Sequence, residues 1–445
     1  MRIFKNKTFK RIYAFASLVL IYVLVYTFIT EQLSDITYGD YLEKDIDSIV
    51  ENQEDVGLIF IGASRLYHGM IPSVFEEKLG YDNVLIAATA IQPMCGTYYY
   101  MKELVETVKP ERIIVDITFD RLLNETHVQS CLLVNDRLSS KNQIPFVLNC
   151  IDSSDWKYLF GPCRYRDNIL MYNMIKTEKE RVKAQGGDPY DAHSDYYWGK
   201  GFVYSYNGYA TGTVPFVHDT SYEFSRSNIT EENIDYLNKC VELCKENDIE
   251  LSLVTIPGTI SYLYLIDGYD DFAFWIAEYA EENEIIYHNL DYLRDREEIL
   301  PDECMYNTTH TNAEGAQVIS EVYSDILLKE KNGEDVSSYF YKDFEELESD
   351  IHRIAAVSGM ITFTDEIKDS KNVANISIRS LQKEDIIPWY QVELIDLNGN
   401  VTPLITWTQD ANAELLLPTG VNYSVKVRAK TGIEGDLEAY QIYHY

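Results

Sequence analysis

The chain has 445 residues, more than one hydrophobic core usually fills, so two folded units are the starting expectation. Apolar residues make up an ordinary 46%, but the formal charge is −34. An acid excess of that size repels nucleic-acid phosphate, so no nucleic-acid partner is expected.

The first 11 residues break the acidic pattern with Arg2, Lys5, Lys7, Lys10 and Arg11, and no acid follows until Glu31. Between them, Ile12 to Thr30 runs nineteen residues without a charge, enough to cross a bilayer as one helix. Basic residues before such a span stay cytoplasmic, which puts the rest of the chain outside. A cleaved signal peptide is the rival, but the run is long and no Ala-x-Ala site follows it. The expectation is an uncleaved single-pass anchor in the cell membrane, residues 12–30.

A short acidic connector, 31–55, leads into strands alternating with helices. Strand-like runs are Leu58–Ile61, Val84–Ala87, Arg112–Ile117, Glu250–Thr255 and Ile285–His288. Helical patterns fall between them at Pro72–Leu79, Thr97–Val108, Glu231–Asn247 and Phe272–Asn283. This alternation predicts a doubly wound, five-stranded parallel α/β sheet over 56–330, with its site at the carboxyl ends of the strands. A long interruption, about 122–227, is rich in aromatics. Trp198, Tyr204 and Tyr206 there are candidate sugar-stacking residues, although aromatic packing within the insertion is the commoner explanation.

After a charged linker, 331–350, the period changes to two. Short alternating strands with no helix between them, and the hairpin signal Asn398-Gly399, predict an all-β sandwich over 351–445. The stretch Leu416–Ala429 resembles the fibronectin type III pattern, in which Tyr423 takes the corner position.

Seven cysteines are present in no metal-ligand spacing, and no cofactor or metal is expected. Cys131, Cys150 and Cys163 fall in one loop-rich region that could supply a disulfide. Cys240 and Cys244 share a helix face.

The chemistry begins at Ile59–Arg65, "IFIGASR", where a buried apolar strand runs into a tight turn that delivers one hydroxyl to the sheet edge. A serine at a strand end is usually a turn residue, and a nucleophile needs a base. Of eight histidines, His68 is explained by the following helix, His127, His193 and His218 lack a supporting acid pattern, His288 ends a strand, and His352 and His444 lie beyond the α/β region. His310 remains, in "CMYNTTHTNAEGAQVIS" just before a helix.

The block His310–Ala316 resembles the histidine block of the SGNH (GDSL-type) hydrolase superfamily, and "IGASR" is similar to that family's nucleophile block. Order and spacing agree over about Gly57 to Glu330. The resemblance implies Ser64 as nucleophile, His310 as base, and an oxyanion site built from the amides of Ser64 and Ala88, with Arg65 beside the substrate. It resembles most the membrane-anchored cell-envelope members, which implies an esterase or O-acyltransferase acting on an acylated envelope polysaccharide. An acyltransferase would draw on a membrane-embedded acyl donor protein. Two departures stand out. The family's acid, three residues before the histidine, is Asn307, and its third-block Asn falls on Phe119. Asn307 offers no charge and could favour the wrong tautomer. A main-chain carbonyl, Asp302 or Glu303 could hold the ring instead. A decayed fold that binds a glycan or partner is the alternative these departures suggest.

Overall fold

The structure is a computed structural model that describes residues 7–34, 38–123, 127–184, 195–205, 222–432 and 438–445. Five strands form one all-parallel sheet in the order β2-β1-β3-β7-β9: β1 (Leu58–Gly62), β2 (Val84–Ala88), β3 (Arg112–Asp116), β7 (Glu250–Thr255) and β9 (Ile286–Asn289). The hairpin β4 (Asp195–Gly199) and β5 (Phe202–Ser205) and the short pair β6 (Tyr222–Glu223) and β8 (Ile266–Asp267) lie outside it. The strands are Val/Ile/Leu-rich and buried on both faces, which is what a parallel sheet covered by helices demands.

Strand alternation divides the core. Ile59, Ile61, Leu85, Ile113 and Val115 face one cluster with the helices Met94–Thr107, Glu231–Glu246 and Tyr269–Glu282. Leu58, Phe60, Val84, Ile86 and Ile114 face the other, with Pro72–Leu79 and Ala313–Lys331. β1 has β2 on one side and β3 on the other, so the strand order reverses there, and the crevice above its carboxyl end is the topological switch point.

The C-terminal strands form two antiparallel sheets, β10-β11-β14 and β13-β12-β15-β16. Their ranges are β10 (Ala356–Lys368), β11 (Lys371–Leu381), β12 (Trp389–Ile395), β13 (Val401–Thr408), β14 (Asn412–Pro418), β15 (Ser424–Lys430) and β16 (Ala439–His444). A separate apolar cluster around Val392, Leu417, Val425 and Val427 lies between them. Gly399 at φ 81° closes the β12–β13 turn, and the Asp396 side chain accepts from Asn398 N–H and Asn400 N–H. Ile351, Ala355, Ala356 and Leu381 nevertheless belong to the α/β core cluster.

The helix Lys7–Leu33 contains one stretch, Tyr13–Leu33, long and apolar enough to cross a membrane. All seven cysteines are free. This corrects the expected grouping: Cys131 and Cys150 cluster in the core with Cys95 rather than with Cys163, and hydrogen bonds with those two thiols, then burial, push the Cys95 thiol well up.

Candidate active site

β1 ends in small residues because β3 crowds it. A Cβ on Gly62 would meet the side chain of Asp116. That carboxylate is fully buried, accepts from Ala63 N–H at 3.2 Å and pairs with the buried Arg121 at 3.4 Å. Arg121 also donates to the Asp116 and Gln92 carbonyls and to Thr97 Oγ1. The turn after β1 therefore rests on a buried charge pair, and Ser64 opens the helix Ser64–Gly69 just beyond it.

His310 arrives on a tight loop. An antiparallel bridge joins Met305 to Thr311, and Tyr306 N–H donates to His310 O at 2.8 Å. Inside the loop, Asn307 Oδ1 accepts from Thr309 N–H at 2.9 Å and His310 N–H at 3.0 Å. Two main-chain donors aimed at one amide atom require it to be the oxygen. His310 Nδ1 lies 3.0 Å from the same oxygen and 3.1 Å from Thr309 Oγ1, whose hydroxyl can itself donate to Asn307 Oδ1 at 3.3 Å; with Nδ1 protonated and donating to Asn307 Oδ1, the lone pair is left on Nε2. Nε2 stands 2.7 Å from Ser64 Oγ and accepts its proton's hydrogen bond. An Nδ1–H donated to Asn307 Oδ1 is the tautomer a general base needs.

Contacts from three elements hold this loop against the serine helix. Thr311 Oγ1 donates to His68 O at 2.8 Å, and Ser320 Oγ accepts from Ile71 N–H at 2.8 Å. Asn312 caps the helix Ala313–Lys331 by accepting from Gly315 N–H at 3.0 Å. A side chain at Gly315 would run into the Cys304 carbonyl. From the sheet side, Thr259 N–H donates to Thr308 O at 2.8 Å. Behind it, buried Asp291 accepts from Gly258 N–H at 3.0 Å and pairs with Arg296, which also donates to Gly258 O.

The structure brings Ser64, His310 and Asn307 together and disposes of the other sequence candidates differently. Ala88 ends β2 level with Gly62. The Thr89 N–H faces β1 and donates to Gly62 O at 3.3 Å, whereas Ile86 N–H faces outward to Lys200 O at 2.8 Å. Strand alternation turns the Ala88 amide to that outer edge, so its expected oxyanion position is corrected: it points away from Ser64. The Ser64 amide lies in a first helical turn, where no intrahelical acceptor exists. Arg65 is buried, donates to Tyr262 OH at 2.9 Å and lies over that ring. Tyr204 is buried with Phe202 and Ala316, a packing residue rather than an open stacking surface. Trp198 meets its ring edge-on and is exposed. Tyr206 lies outside the described residues. Asp302 pairs with Arg353 at 3.4 Å, and the Glu303 carbonyl accepts from Asn312 Nδ2 at 2.6 Å. Phe119 packs in the core against Phe224 and Phe272 and supplies no donor.

Sequence reasoning missed Asp116, Arg121, Thr259, Asp291, Arg296 and Tyr262. Asp116–Arg121 and Asp291–Arg296 are each five apart, a spacing that marks no site by itself. Their contacts to Ala63, Gln92 and Gly258, like those of Thr259 to Thr308 and Tyr262 to Arg65, join segments far apart in the chain. Among the described residues no three His, Cys, Asp or Glu side chains converge on a metal position.

The sequence matches no family model and no curated protein. Two solved structures align over most of their own length. One is named as a candidate acylhydrolase, from Bacteroides fragilis NCTC 9343, at 10% identity and TM-score 0.30, covering 64% of this chain and 94% of that one. The other is a GDSL-like lipase from Bacteroides thetaiotaomicron VPI-5482, at 10% identity and TM-score 0.29, covering 66% and 98%. At such scores the likeness decides nothing about chemistry.

Proposed function

We propose that this chain is a membrane-tethered, serine-dependent esterase or O-acyltransferase acting outside the cytoplasm on an acylated envelope polysaccharide. The observation that carries the chemistry is the relay Asn307 Oδ1, His310 Nδ1, His310 Nε2, Ser64 Oγ, with its two links at 3.0 and 2.7 Å. Ser64 Oγ attacks the ester carbonyl while its proton passes to His310 Nε2. Asn307 Oδ1 holds the resulting imidazolium through Nδ1–H, the role an asparagine fills in papain-like proteases. The Ser64 amide faces the developing oxyanion. His310 then returns the proton to the leaving alcohol, and the acyl group stays on Ser64. Water or a sugar hydroxyl, deprotonated by His310, releases it; the first outcome is hydrolysis and the second transfer.

The apolar helix and the basic residues before it support a tether with the catalytic body outside. Exposed Trp198 is the one aromatic of the candidate platform left able to stack on a sugar ring among the described residues. The two C-terminal sheets and buried Tyr423 support the fibronectin type III-like reading, a unit that spaces or binds.

The test is labelling of the full-length protein in detergent with a fluorophosphonate probe. Wild type is expected to label and Ser64→Ala to lose the label. Equal labelling of the two removes Ser64 as nucleophile, and an unlabelled wild type favours the decayed, glycan-binding alternative.

A further inference from the structure

The N-terminal helix does not stand clear of the body. Phe160, in the insertion, stacks on Tyr26 with ring centroids 5.0 Å apart and on Tyr22 at 6.2 Å. Gly161 presses on Thr30, where a Cβ would strike the threonine side chain. Asn168 Nδ2 donates to Leu33 O at 2.7 Å, and Lys179 Nζ to Ser34 Oγ at 3.2 Å. The apolar stretch ends at Leu33. With a rise of 1.5 Å per residue, Tyr26 lies about 10 Å inside that end. A ring stacked on it cannot be in bulk water if the helix spans a bilayer.

The surface beside these contacts is apolar where soluble proteins are not. Ile169 is 62% exposed, Leu170 92%, Met171 46% and Met174 62%. Contiguous exposed apolar side chains mark a docking surface rather than a solvent face. The charge of the segment is also unlike the rest of the molecule: residues 156–174 hold Lys157, Arg164 and Arg166 against Asp167 alone, in a chain of net charge −34. Trp156 and Tyr172 are partly exposed on the same segment, as aromatics at a bilayer boundary are.

We infer that the segment from Trp156 to Met174 is a second membrane contact, seated in the outer boundary of the bilayer beside the N-terminal helix, with an anionic lipid surface as its partner. The inference rests on the proposed spanning role of that helix. Interfacial elements bury their apolar face about 5–10 Å into the headgroup and acyl boundary, which is the depth the Phe160–Tyr26 stack sets. Basic residues around it meet anionic headgroups that repel the remainder of the body. Attached at two points, the catalytic body cannot pivot freely on its anchor, so the crevice above β1 keeps one orientation to the membrane.

The test uses the full chain in lipid-only vesicles of phosphatidylcholine and phosphatidylglycerol carrying spin-labelled acyl chains. The six other cysteines are buried, so Cys163→Ser leaves a background for single labels. An environment-sensitive fluorophore is placed in turn at Leu170→Cys, at Leu18→Cys in the apolar helix and at Leu397→Cys on the sandwich, all exposed positions. Emission is expected to fall roughly twofold at 18 with spin labels deep in the acyl chains and at 170 with spin labels near the headgroups, and not at 397 with either. Quenching at 18 without quenching at 170 overturns the inference while the anchor stands, and would mean that the patch fits a protein partner. Quenching at neither removes both the anchor and the second contact. Quenching at 170 alone removes the anchor and overturns the inference of a second contact beside it.

Discussion

Asn307→Asp separates what the asparagine already does from what charge would add. The substitution keeps Thr309 N–H and His310 N–H aimed at a side-chain oxygen and keeps His310 Nδ1–H at 3.0 Å from it. What changes is the charge and the exchange of the Nδ2 amide for a second oxygen. In serine proteases the reverse change costs about 10⁴-fold because the amide imposes the wrong tautomer. That share is not recoverable where Asn307 already presents its oxygen to His310 Nδ1, as the two main-chain donors make it do. What can be recovered is the attraction between a carboxylate and the imidazolium formed when Ser64 loses its proton. Two unit charges about 4 Å apart attract by roughly 4 kcal/mol at an effective dielectric of about 20. Asn307 and His310 are half-buried, so screening and the new carboxylate's desolvation leave a smaller net gain. A net of about 1.4 kcal/mol is tenfold in rate.

The assay is hydrolysis of p-nitrophenyl acetate by the full-length protein, with Ser64→Ala as zero. Asn307→Asp is expected to raise turnover about tenfold, the charge contribution alone. Asn307→Ala is expected to lower it by about 100-fold, because Nδ1–H and two main-chain N–H groups lose their acceptor and the ring is no longer held. A gain for Asn307→Asp near 10⁴-fold would show that the wild-type tautomer is wrong and refute the reasoning. No change for Asn307→Asp would show that the added charge is screened, and no loss for Asn307→Ala, with activity abolished in His310→Ala, would show that some other group orients the ring.

Gly315→Ala forces a methyl into the Cys304 carbonyl and is expected to cost about 2 kcal/mol and most Ser64-dependent turnover; an unchanged melting temperature would contradict the close approach. Burial, and secondarily Arg112, hold the His288 imidazole down at about 4, although Glu330, itself bound by Arg112, lies 3.7 Å away and pulls the other way. The unfolded chain, near 6.5, takes up the proton first, so stability falls as pH drops from 6.5 toward 4, by about 2 kcal/mol between pH 7 and 5; urea titrations at both values should show this loss in wild type and not in His288→Gln. A chain ending after Ser349 loses Ile351, Ala355, Ala356 and Leu381 from the α/β core and the Arg353 partner of Glu297 and Asp302. Its urea midpoint should fall by the equivalent of about 3 kcal/mol or more, and an unchanged midpoint would show that the sandwich is an independent unit.

The five core strands were legible because each is a short, continuous apolar run bounded by turn residues. Their observed limits differ from the expected ones by a residue or so: β1 runs to Gly62, and β3 stops at Asp116 rather than Ile117. The change of period near residue 350 marked the two antiparallel sheets for the same reason, that side-chain alternation is written locally. The helix expected from Thr97 begins at Met94, because Pro93 at its N-cap sets the start and no apolar pattern does. Ser64 and His310 could be picked out by motif alone, while Tyr204 could not be told from a binding residue, since its burial against Ala316 depends on where the hairpin docks.

The asparagine shows most clearly what a motif leaves out. As a residue type, Asn307 lacks the charge of an aspartate and can offer either an oxygen or an N–H to its neighbour. Which of the two it offers is decided by the next two residues: the loop's turn directs Thr309 N–H and His310 N–H at the same atom. That turn is held from outside by Thr259 on Thr308 O, and Gly258 next to it is held by the buried Asp291–Arg296 pair. A buried ion pair thereby helps hold the turn that sets Asn307 Oδ1 against His310 Nδ1. Breaking it strands a buried charge and frees the loop, so its loss should appear first as a loss of base strength at His310 and only then as a loss of fold.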